Sequence, residues 1–126
     1  MILTLDMRSR TPIYEQMVAS IKEMAVKGIL APDEQLPSVR QLAADLCINP
    51  NTVQRAYNEL ERQGVIYSLP GRGNFISAEI GLIAGTVRET KKEELKNALL
   101  SAKAAGVDRE AAAALLAEIY KESEQS

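Results

Sequence analysis

The chain has no histidine and a single cysteine among its 126 residues. Without histidine, the usual zinc sites and imidazole-based catalytic sites are absent, and one cysteine cannot close an internal disulfide. No glycine-rich phosphate loop is present either. No stretch approaches the ~20 apolar residues needed to span a bilayer, and the opening MILTLDMRSR lacks a signal peptide's apolar run. These absences point away from enzymes, cofactor or metal proteins and membrane proteins, and the expected location is the cytoplasm. Bulk positive charge is missing too: 15 Lys and Arg stand against 17 Asp and Glu. Residues 1–78 hold 8 basic and 8 acidic side chains, and residues 79–126 hold 7 and 9. Any affinity for nucleic acid must therefore come from a local patch, whose candidate members are Arg8, Arg10, Arg40, Arg55, Arg62 and Arg72.

What is present is an ordered series of short elements. At 46% apolar and 25% charged the chain is globular, long enough for one ordinary domain or a small one with an appendage. Thr11-Pro12 reads as a helix start, with Thr11 as the capping residue. Tyr14, Met17, Val18, Ile21, Met24 and Ala25 then recur at helical spacing up to Gly28. After the Pro-punctuated loop ILAPDEQLPS, Ser38 and Gln41 carry a capping-box signature for a second helix of about nine residues, with Val39, Leu42, Ala43 and Leu46 inward. A turn at Cys47-Ile48-Asn49 leads to a third helix that starts at Asn49-Pro50 and stops at Gly64. VIYSL and NFIS follow as two short strands around Pro70-Gly71-Arg72-Gly73. Three helices and a hairpin, with a tight turn between the second and third, give the order of a winged helix-turn-helix.

The third helix divides its faces unusually. Val53, Ala56, Tyr57 and Leu60 form an apolar side, while Asn51, Gln54, Arg55, Asn58 and Arg62 form the opposite one. Such a polar side is, in an isolated helix, more often just a solvated face. In this setting it has a chemical use: Asn and Gln can pair with both N6 and N7 of adenine, and Arg with O6 and N7 of guanine. The first turns of the second helix of such a motif are what reach base edges in the major groove.

The stretch LPSVRQLAADLCINPNTVQRAYNELERQGVIYSLPGRGNFIS resembles the DNA-binding domain of GntR-family bacterial regulators, and TPIYEQM is similar to that family's opening helix. The resemblance covers about residues 6–78. It implies a transcriptional repressor bound to double-stranded DNA, with Arg40, Asn51, Thr52, Gln54, Gly71 and Arg72 at the DNA. With Arg55 and Asn58 from the outward face of the third helix, and Ser38 and Gly73 beside the matching positions, these make the expected DNA-facing set. Cys47 stands where glycine is common in the family, so a turn without a left-handed residue is expected. Cys47 itself reads as a small, partly buried hydrophobe, with a redox sensor as the alternative.

From about residue 79 the composition changes. AEIGLIAGT reads as a connector, followed by a helix from Thr90 to Ala105, a break at Gly106, and a second helix capped by Asp108. Lys91-Lys92 and Glu93-Glu94 read as charge pairs of this hairpin rather than a catalytic cluster. Leu95, Leu99 and Ala102 line one helix; Leu115, Leu116 and Ile119 line the other. Two thin helices cannot enclose a core. The expectation is a dimerisation domain over residues 79–126, resembling the family's short YtrA-like branch, and hence a homodimer on an inverted repeat. No cofactor or metal is expected, and no residue of the tail marks an effector pocket. The rival reading is a winged-helix protein-interaction module without DNA readout.

Overall fold

The computed structural model describes residues 3–124, with side chains described to residue 121. Five helices and one hairpin follow in order: α1 (Ile13–Val26), α2 (Val39–Leu46), α3 (Pro50–Arg62), β1 (Ile66–Leu69), β2 (Gly73–Ile76), α4 (Ile80–Ala104) and α5 (Arg109–Glu124). Two compact units divide the chain, residues 1–86 and 87–126.

The first unit is built on the apolar faces of α1, α2 and α3. Met17, Ile21, Leu42, Val53, Ala56, Tyr57 and Leu60 share one core with Val65, Ile66 and Ile76 of the hairpin. Burial at about 25 cal/mol per Å² makes this cluster the main source of the unit's stability. Tyr57 is the largest fully buried side chain, and its hydroxyl donates to the carbonyl of Pro37 at 2.7 Å. The hairpin is antiparallel, pairing Ile66 with Ile76 and Leu69 with Gly73. At its tip Arg72 N–H donates to the Leu69 carbonyl at 2.9 Å, and Gly71 takes φ +76, open to glycine at little cost.

Several sequence expectations are corrected. Thr11 does not cap α1: Pro12 occupies that place, with no side-chain cap bond. Gln16 ties the entry segment down instead, donating to the carbonyls of Asp6 and Thr11 and accepting from Asp6 N–H. Only half of the capping box forms. The Ser38 hydroxyl oxygen accepts from Gln41 N–H, while the Gln41 side chain turns forward to Asp45.

Cys47 departs from expectation twice. It lies in the left-handed region at φ 55, ψ 44, and its side chain is exposed. The reason is Ile48. A left-handed residue lets Ile48 N–H donate back to the Ala43 carbonyl, and it turns the Ile48 side chain against the core. That closure offsets a left-handed cost of roughly 1–2 kcal/mol.

The connector AEIGLIAGT is not a connector, because α4 starts at Ile80 and runs unbroken for 25 residues. Each helical glycine costs about 1 kcal/mol. Ile80 joins the first unit's core, Ala84 one turn on is buried, and Ile83 packs partly against that core. The first unit thus extends to residue 86, beyond the expected boundary at 78.

The second unit holds the rest of α4 together with α5. Asp108 caps α5 by accepting from Ala111 N–H at 2.8 Å, and Gly106 turns the chain at φ +93. Lys91–Glu94 and Lys92–Glu89 are exposed ion pairs one turn apart, the kind that adds only tenths of a kcal/mol.

Candidate nucleic-acid interface

The helix-turn-helix presents the start of α3 to solvent. Asn49 caps it, its side-chain oxygen accepting from Asn51 N–H at 2.8 Å, and Pro50 occupies the first turn. Behind, Val53, Ala56, Tyr57 and Leu60 are buried. In front, Asn51, Gln54, Arg55 and Asn58 are exposed, with Thr52 half-buried at the margin. This single face is what a groove would meet.

The polar side chains are not equally free. Gln54 Nε2 donates to Asn58 Oδ1 at 2.8 Å, so Asn58 buttresses Gln54 from one turn behind and leaves the Gln54 oxygen and a second N–H available. The Arg55 guanidinium carbon lies 3.8 Å from the centroid of the Tyr14 ring, a cation–π stack between α3 and α1. Tyr14, Pro12, Ile13, Asn51, Thr52 and Arg55 together line a shallow cleft of about 340 Å³. Arg62, at the far end of α3, is bound to the Glu59 carboxylate. That bond holds the Glu59 carboxyl down at about 2 and pushes the guanidinium up. Arg62 is therefore turned toward its own helix rather than toward a groove.

Arg40 is exposed on α2, and Ser38, just before it, keeps a hydroxyl proton to donate while its oxygen caps the helix. Arg72 and Gly71 are exposed at the hairpin tip. Gly73 is different: it lies within β2 at φ +122, and a Cβ there would meet the Gln35 side chain at 2.9 Å. It shapes the tip rather than facing outward. Arg40, Arg55 and Arg72 join no ion pair among the described residues, so their charge remains available to phosphate. Arg8 and Arg10 sit exposed in the segment before α1.

Sequence reasoning missed two residues. Tyr14 falls on the apolar repeat of α1, and nothing local announces that it carries Arg55. Gln35 sits in what reads as a plain loop, yet its Nε2 donates to the Arg72 carbonyl at 2.8 Å. No cluster of three or more potential metal ligands occurs among the described residues, and no described helix is long and apolar enough to cross a membrane.

A capped helix-turn-helix, an exposed amide and guanidinium face and a glycine-tipped hairpin define a winged-helix DNA-binding regulator. Residues 13–76 match the family described as "Bacterial regulatory proteins, gntR family". The HTH-type transcriptional repressor YtrA of Bacillus subtilis (strain 168) is 48% identical over 111 residues, which cover 86% of this chain and 85% of that protein. A crystal structure of a transcriptional regulator from Oenococcus oeni aligns with a TM-score of 0.74 at 32% identity, covering 94% of this chain and 99% of that one. The AraR DNA-binding domain in complex with operator ORX1 aligns with a TM-score of 0.54 at 25% identity, over 60% of this chain and 96% of that one. This chain belongs to the GntR family of bacterial regulatory proteins.

Proposed function

We propose that this regulator is a repressor that binds an inverted-repeat operator as a homodimer. The observation that carries the DNA reading is the buttressed amide face at the start of α3: Asn51 and Gln54 exposed, with Gln54 held by Asn58. Asn51, Thr52 and Gln54 read base edges in the major groove, and Arg40 and Arg55 meet the flanking phosphates. Arg72, with Gly71, meets the backbone beside the minor groove. Repression is supported by the similar YtrA protein, itself named a repressor.

The second unit supplies the dimer. Leu95, Leu99, Leu115, Leu116 and Ile119 are each 50–63% exposed, and Ala102 is half-buried beside them. Apolar side chains of this size, left so open on two thin helices, are covered at least cost by the same surface of a second copy. A two-fold axis then sets two α3 helices on two inverted half-sites.

The test is the salt dependence of binding to an operator selected from a random duplex pool. With Arg40, Arg55 and Arg72 on each protomer neutralising about six phosphates, affinity falls on the order of a thousandfold between about 50 and 200 mM salt. A protein-interaction module would show no such slope. Failure to select any duplex, or a flat salt response, contradicts the reading.

A further inference from the structure

The loop before α2 is not passive. Asp33 N–H donates to the Ile76 carbonyl, Ile76 N–H to the Glu34 carbonyl, and Leu36 N–H to the Asn74 carbonyl at 2.8 Å. Residues 33–36 thereby run as a short antiparallel edge along β2, with Gln35 bridged to Phe75. The Tyr67 hydroxyl adds a bond to Asp33 at 2.7 Å, and its ring stacks on Phe75. From this edge the Gln35 side chain reaches along the hairpin to the tip and donates to the Arg72 carbonyl. The absence of a side chain at Gly73 leaves room for it: a Cβ there would stand 2.9 Å from Gln35 Nε2.

The same segment continues into the helix-turn-helix. Two residues after Gln35, the Pro37 carbonyl accepts the Tyr57 hydroxyl of α3, and Ser38 caps α2. Four consecutive residues therefore bind the hairpin tip, the third helix and the second helix in turn.

We propose that Gln35 is a positioning residue for the wing, holding the Arg72 peptide at a fixed place relative to α3. This rests on the reading of Arg72 as a backbone contact. Without the Gln35 bond, the tip is left with the turn bond from Arg72 N–H to Leu69 and the strand pairing of Leu69 with Gly73. Its glycines then widen the range of places Arg72 samples, and ordering them falls to the moment of DNA binding.

The test is a double-mutant cycle on the full chain, using Gln35→Ala, Arg72→Ala and the pair, with operator binding read by fluorescence anisotropy. Arg72→Ala weakens binding. Gln35→Ala weakens it by about two- to tenfold, the span of one net hydrogen bond. In the Arg72→Ala background, Gln35→Ala changes nothing further, because its effect passes through Arg72. An equal loss in both backgrounds overturns the proposal. Backbone relaxation of the free protein provides a second readout. The heteronuclear NOE of Gly71, Arg72 and Gly73 drops in Gln35→Ala while that of Ile66 and Ile76 holds; an unchanged tip overturns the proposal as well. If Arg72→Ala alone leaves affinity untouched, the Arg72 reading is what falls, and the relaxation data still decide whether Gln35 holds the tip.

Discussion

Replacing Tyr57 by Phe removes one oxygen from the centre of the first unit and leaves the ring in place. Tyr57 is 1% exposed, and its hydroxyl donates to the Pro37 carbonyl at 2.7 Å. Burial pushes that hydroxyl's pKa well above the usual tyrosine value, so it remains a donor at any ordinary pH. Loss of the bond forfeits about 0.5–1.5 kcal/mol, and the Pro37 carbonyl left without its donor brings the total to about 1–3 kcal/mol. Ring packing adds nothing to the change, because Phe fills the same volume. For a domain of this size each kcal/mol lowers the melting temperature by about 4–8 °C. Thermal unfolding followed by circular dichroism, with both proteins at the same concentration, reads the difference, because any self-association would make the midpoint concentration-dependent. A fall of about 4 °C or more is expected. A variant that melts with the wild type would show that the bond between α3 and the edge segment contributes nothing, and the account of how that segment is anchored would fail.

The second-unit surface is tested by Leu99→Asp and Leu116→Asp. On the proposed dimer, each variant should be monomeric by light scattering and lose operator affinity in step, whereas a monomer that binds as before would separate dimerisation from DNA reading. Ile80→Ala should destabilise the first unit by about 2–4 kcal/mol, as for a buried aliphatic truncated in a core. A change under about 0.5 kcal/mol, the range of ordinary surface substitutions, would return the start of α4 to the status of a linker.

Local signals carried much of the fold. The 3.6-residue repeats of α1 and α3, the Asn49-Pro50 start and the glycines around Arg72 each act within a few residues, so they are legible in a single sequence. The start of α4 was not, because Gly81 and Gly85 give it a linker's composition and only tertiary burial of Ile80 and Ala84 makes it helical. Cys47 hides for a related reason: its left-handed backbone follows from the burial of Ile48, not from its own preference. In the candidate interface the outward face of α3 could be listed from periodicity. How its members are held could not, since Tyr14 meets Arg55 and Gln35 meets Arg72 across dozens of residues. Periodicity also counted Arg62 among the free cations, blind to the Glu59 carboxylate one turn back.

The central claim is that α3 reads sequence through Asn51 and Gln54. Its most direct test is the site preference of Asn51→Ala and Gln54→Ala, measured by selection from a random duplex pool and compared with the wild type. Each substitution should relax discrimination at the base pairs it contacts, by about 1–3 kcal/mol for each lost bidentate pair, while non-specific affinity stays within a small factor. Identical selected motifs from the wild type and both variants would contradict the account.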